Sequence, residues 1–155
     1  MQTQNTGIDF IAYGADGSIV LLAEAKSRRG TSDAWAAKLR RNMLAHGDLP
    51  RAKYFLIATP ERMYGWKHDN LNSDEVPPEF TIDARKALAP YFAKFDQDPE
   101  RIVPEAFDLL VLAWLTDVAR SAEYTEALDP SLQSLSDSGL LSSLRQARIK
   151  MNATE

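Results

Sequence analysis

The chain has 155 residues, 45% of them hydrophobic and 26% charged, which is ordinary globular usage at a length that supports one well-buried core. That composition excludes collagen, a coiled-coil rod and a wholly disordered chain, and the absence of cysteine excludes disulfide scaffolds, thiol catalysis and cysteine-held zinc. Net charge is −4 but unevenly spread: residues 1–72 hold ten Lys and Arg against seven Asp and Glu, and residues 73–155 hold eight against fifteen, a split that fits either a polyanion on one side or a solvated helix face.

The opening MQTQNTG has neither the basic region nor the apolar stretch of a signal peptide. The longest apolar run, Leu109 to Leu115, is too short to span a membrane. The expectation is a cytoplasmic protein with no membrane partner. Ile8 to Tyr13 and Ser18 to Lys26 read as strands around Gly14-Ala15-Asp16-Gly17, an Asp-Gly hairpin signal. If Asp16-Gly17 form a two-residue loop, Ala15 faces Ser18 and the numbers of paired residues sum to 33. Both strands are apolar at nearly every position, so both faces are expected to be covered.

Ser32 caps a predicted helix running to His46, with Trp35, Leu39 and Met43 four apart and Gly47 and Pro50 ending it. His46, in its last turn, reads as a C-terminal cap residue rather than a catalyst. Tyr54 to Ala58 is a third predicted strand, Thr59-Pro60-Glu61-Arg62 a type I turn, and Met63 to Lys67 a short fourth strand. Residues 68–82, which include His68 and the Pro77-Pro78 pair, read as a long loop. Asp83 caps a helical segment through Phe95, interrupted at Pro90.

Pro104 and Glu105 open a helix whose stripe carries Phe107, Leu110, Val111, Trp114, Leu115 and Val118. Leu109, Leu112 and Ala113 widen its apolar surface beyond one stripe. Either the helix is buried on two sides or helix 105–120 meets a second copy, and the second reading gives a homodimer. A last helix is predicted from about Asp137 to Lys150, acidic at its start and basic at its end. Residues 1–67 thus form a core of hairpin, helix and two strands, 68–82 a loop, and 83–155 a helical part packing on that core in the same domain.

Two histidines are too few for a histidine-rich metal site, and there is no phosphate-cradling glycine loop, nucleophile elbow or dinucleotide fingerprint. One constellation carries chemistry. The register places Asp9 opposite Glu24 on one face, and Lys26, two residues on, shares that face. Like charges directly opposite are unfavourable, but Mg²⁺ or Mn²⁺ would reverse the sign, with Asp9, Glu24 and the backbone carbonyl of Ala25 as hard oxygen ligands. Lys26 would position water or steady negative charge developing on phosphorus. The plain alternative is a lysine–carboxylate cluster at a sheet edge.

The stretch GIDFIAYGADGSIVLLAEAKSRRG, with Asp9 on one strand and Glu24-Ala25-Lys26 on the next, then a helix and another strand, resembles the core of the PD-(D/E)xK nuclease superfamily over about residues 7–67. The resemblance implies a restriction-endonuclease-like α/β fold: a mixed sheet of about four strands with flanking helices. It implies a metal-dependent nuclease hydrolysing phosphodiester bonds, with DNA the preferred substrate and Asp9, Glu24 and Lys26 catalytic. Arg28, Arg29, Lys38 and Arg41 follow the motif as candidate phosphate contacts, and Trp35 reads as a helix anchor rather than a base-stacking residue. The family's core usually begins with a helix, often bearing another acidic residue; only seven residues precede Ile8, so that helix is missing or a later one fills its place. The alternative function is a non-catalytic nuclease-like module that binds nucleic acid or a partner protein.

Overall fold

The computed structural model describes residues 8–67, 75–120 and 132–152. The N-terminal MQTQNTG and His68 lie outside them. The described residues form an α/β fold with a mixed six-stranded sheet and five helices: β1 (Phe10–Tyr13), β2 (Ile19–Ala25), α1 (Asp33–His46), β3 (Tyr54–Ala58), β4 (Arg62–Trp66), β5 (Phe80–Asp83), α2 (Ala84–Lys94), α3 (Pro104–Arg120), α4 (Gln133–Asp137), α5 (Leu140–Leu144) and β6 (Arg148–Met151). The strand order is β5-β4-β3-β2-β1-β6. Only β2 and β3 pair in parallel, as the intervening helix α1 requires; every other neighbour is antiparallel.

The β1–β2 hairpin keeps the expected register for a different reason. Phe10 pairs with Ala23, Ile11 with Leu22 and Ala12 with Leu21, but Tyr13 pairs with Ile19. The loop has three residues, Ala15 to Gly17, closed by Gly14 N–H to the Ser18 carbonyl at 2.8 Å, with Gly17 left-handed at φ 85°. Val20 is then an extra residue in β2, a bulge that restores the sum of 33. The longer loop and the bulge cancel.

The sheet has six strands rather than about four. Phe80 to Ile82, expected as the end of the loop, pair with β4 as an edge strand together with Asp83, which also caps α2 as expected. Arg148 to Met151, expected as the end of a helix, pair with β1 as the other edge. A single helix over 137–150 does not form: Gly139 is left-handed at φ 86° and separates α4 from α5, and Gln146 at φ 62° follows α5. Residues 83–155 therefore supply part of the sheet as well as helices. Pro90 sits inside α2 without ending it, its ring on an exposed position.

Alternation along the strands divides the core. Leu22, Phe55, Ile57, Tyr64 and Trp66 pack with Ala36, Trp35, Leu39 and Met43 of α1 on one face. Phe10, Ala12, Leu21, Ala23, Leu56, Met63 and Ile82 pack with α2, α3, α4 and α5 on the other. Ser32 caps α1 by accepting from Trp35 N–H at 3.2 Å, and Gly47 N–H closes the helix on the Met43 carbonyl at 2.8 Å. On α3, Trp114 and Leu115 are fully buried, Leu112 and Ala113 are half-buried against the core, and Leu109 is 56% exposed. Among the described residues no helix is long and apolar enough to cross a membrane.

Candidate functional site

The site lies where β2 leaves the sheet. The β1–β2 register, continued by one residue, sets Asp9 against Glu24, and the two are in contact: Asp9 N–H donates to Glu24 Oε1 at 3.1 Å. Asp9 Oδ2 in turn accepts from Ala25 N–H at 2.9 Å, so its side chain extends the ladder past the last strand residue. The other side of Asp9 is held from β6. Asn152 N–H donates to the Asp9 carbonyl at 2.7 Å, and Asn152 Nδ2 donates to the Ile8 carbonyl at 3.0 Å. Lys26 Nζ lies 3.2 Å from Glu24 Oε2, and its N–H binds the Ala58 carbonyl at 2.9 Å, which keeps the chain beside β3 for one residue beyond the strand.

Asp9, Glu24, Ala25, Lys26, Ser27 and Arg28 line one cleft of about 360 Å³, closed on its far side by Pro104 and Asp108 of α3. Glu24 is only 6% exposed, whereas the Lys26 side chain is 43% exposed and reaches solvent. Burial, reinforced by the negative charge of Asp9 and opposed by Lys26, pushes the Glu24 carboxyl up to about 8. Burial also raises Asp108 to about 6, with Asp9 and Glu105 adding to the rise and Lys26 opposing it. Three carboxylates and two cations thus face one space, and two of the carboxylates hold protons more tightly than in water.

Asp9, Glu24, Ala25, Lys26 and Arg28 come together as expected. Arg29 does not line this cleft; it lies 3.7 Å from Glu100. Arg41 pairs with Glu75 at 3.5 Å, and Lys38 is exposed further along α1; neither reaches the cleft. Trp35 is half-buried against Tyr64, with ring centroids 6.1 Å apart. Sequence reasoning missed Asp108 and Asn152. Asp108 is the lone charge between Glu105 and Asp117 on an apolar helix, a signal that marks it but does not say what it faces. Nothing local marks Asn152, whose partners are 143 and 144 residues away in sequence.

Among the described residues no three acidic or imidazole side chains are gathered into a ready ligand cluster. The donor types still suit a hard divalent cation: the carboxylates of Asp9 and Glu24 line the cleft together, with Asp108 and Ala25 on its wall. A buried carboxylate forced against a second one is an arrangement that a cation would relieve. No family model, no curated protein and no solved structure matches the chain. What the fold and site define is therefore a class by geometry alone: an α/β protein with a mixed six-stranded sheet and an acidic, lysine-bearing cleft at the end of a central strand.

Proposed function

We propose that the protein is a divalent-metal-dependent phosphodiester hydrolase acting on nucleic acid, built on the PD-(D/E)xK plan. The observation that carries this reading is the meeting of Asp9, Glu24 and Lys26, from two neighbouring strands, in one solvent-open cleft with Asp108 opposite. Asp9, Glu24 and the Ala25 carbonyl would hold Mg²⁺ or Mn²⁺, with Asp108 as a further acidic group. The cation would supply Lewis acidity to the scissile phosphate and the attacking water. Lys26, 3.2 Å from Glu24 yet partly exposed, would present its ammonium to the negative charge that develops on phosphorus. Arg28 at the rim meets a neighbouring phosphate and fixes the strand without reading its sequence.

The rival, a non-catalytic module that binds nucleic acid or a protein, draws on a single observation: Glu24 already has a cationic partner in Lys26 and needs no metal to neutralise it. Incubating supercoiled plasmid, linear duplex, single-stranded DNA and RNA with the protein separates the two. Cleavage of at least one substrate in Mg²⁺ or Mn²⁺, abolished by chelator, is expected; intact substrates under every condition would leave the binding module.

A further inference from the structure

Arg28 belongs to two arrangements at once. It lines the acidic cleft, and its guanidinium lies 5.8 Å from the centroid of the Trp35 ring. The loop that carries it is fixed at both ends. Lys26 N–H binds the Ala58 carbonyl, Gly30 N–H donates to Glu61 Oε1 at 2.9 Å, and Thr31 Oγ1 lies 2.7 Å from the Tyr64 hydroxyl. Glu61 is itself clamped by Arg85 at 2.6 Å. The braced loop thus holds the Arg28 guanidinium between the cleft it lines and the indole of Trp35 on α1.

The charges beside the cleft do not suit a duplex. A protein that grips a duplex through six to ten phosphates needs a comparable number of available cations. Only Lys26 and Arg28 line the cleft, and Lys26 is engaged with Glu24; Arg29, Arg41 and Arg85, away from it, are each paired with a carboxylate. The cleft, at about 360 Å³, has the volume of a small-ligand site. Few phosphate contacts leave affinity to be made another way, and stacking on an aromatic ring is the usual way for a single strand.

We propose that the substrate is a single-stranded polynucleotide whose nucleotide beside the scissile phosphate stacks its base on Trp35, displacing Arg28 toward the adjoining phosphate. The inference rests on the hydrolase reading above and names its substrate class. The exchange is favourable because a base covers more of the indole than an exposed guanidinium does, while Arg28 gains an anionic partner in place of a ring face. A paired base cannot make this contact without leaving its stack, so a duplex is disfavoured.

Trp35 also supplies the assay. Of the three tryptophans, Trp66 and Trp114 are 1% and 0% exposed, and Trp35 is half-buried, so a base can quench Trp35 alone. The Glu24→Gln protein is titrated with fluorescein-labelled dT12, U12 and a dT12·dA12 duplex while tryptophan emission and fluorescein anisotropy are both followed. Quenching by dT12, U12 or both is expected, with duplex bound about tenfold or more weakly. The tighter of the two single strands names the polynucleotide. Adding Trp35→Phe should remove the quench and keep the anisotropy change. Adding Trp35→Leu or Arg28→Ala should weaken binding by about tenfold in proteins that circular dichroism shows to be folded. Equal binding of duplex, or single strands bound with unchanged tryptophan emission, would overturn the inference. Metal-dependent cleavage by wild type alongside either result would leave the hydrolase reading standing. Quenching by a protein that cleaves nothing in Mn²⁺ would instead keep the stacking surface and remove the hydrolase.

Discussion

Replacing Glu24 by glutamine should remove a loss of stability that the metal-free protein suffers as pH rises. Burial and the neighbouring charge of Asp9 raise the Glu24 carboxyl from 4.5 to about 8 in the fold, against the pull of Lys26. The native state therefore binds this proton more tightly than the unfolded chain. Its contribution is complete below pH 4.5 and is lost as pH rises through about 8. A displacement of about 3.5 units corresponds to about 5 kcal/mol. About 4 kcal/mol of this falls between pH 5 and 9, because the unfolded carboxyl is already mostly ionised at pH 5; at about 2–4 °C per kcal/mol for a chain of this size, that is roughly 8–16 °C in Tm. The glutamine amide of the Glu24→Gln variant cannot ionise and carries none of this slope. It keeps the acceptor for Asp9 N–H, and at pH 5 the native Glu24 is protonated, so no ion pair with Lys26 is lost there. The variant should melt close to wild type at pH 5 and well above it at pH 9. Thermal melts of both proteins in chelator across this range make the test. Parallel curves would refute the claim that Glu24 is a desolvated acid facing Asp9. Mn²⁺ binds deprotonated carboxylates, so it should restore wild type most at high pH, by about 2.7 kcal/mol at a hundredfold excess over Kd, and restore the variant less.

Three further outcomes follow from particular contacts. Asp108→Asn should raise the Tm of the metal-free protein above about pH 6, because the folded carboxyl titrates near 6 and its ionised form is the disfavoured one; in Mn²⁺ it should raise the metal concentration needed for half-maximal cleavage. Asn152→Ala removes the amide donor to the Ile8 carbonyl and should cost about 1 kcal/mol in urea denaturation, with weaker Mn²⁺ stabilisation because Asp9 is held less firmly. Gly65→Ala would place a methyl inside the Phe80 ring, so a lower urea midpoint with unchanged m is expected, at a cost of about 1–3 kcal/mol.

The sequence carried the local parts of this structure and not the long-range ones. Asp-Gly chemistry, the Ser32 cap, the Gly47 stop and the apolar run of β3 each act within a few residues, and α1, β3 and the hairpin form where they point. The pairing of Asp9 with Glu24 was legible because two departures cancelled, a third loop residue and the Val20 bulge. The edge strands were not legible. Phe80 to Asp83 follow Pro-Pro in a polar stretch, and Arg148 to Met151 alternate over too few residues to outweigh a helical charge pattern; each becomes a strand by pairing with a partner that the chain supplies elsewhere. Asp108 faces the cleft only because α3 packs across the sheet and brings Pro104 to the end of β2. Of the four basic residues expected at phosphates, Lys38 and Arg41 lie three apart on α1, and neither lines the cleft.

The measurement that bears most directly on the proposed site is the initial rate at which a labelled oligonucleotide is cut in Mn²⁺ by wild type, Asp9→Asn, Glu24→Gln and Lys26→Ala, purified in parallel. Each substitution is expected to lower the rate by about a hundredfold or more, and Asp9→Asn combined with Lys26→Ala should lower it hardly further, because groups acting on one phosphate fail as a unit. A Lys26→Ala protein that cuts as fast as wild type would contradict the assignment of Asp9, Glu24 and Lys26 as one catalytic unit.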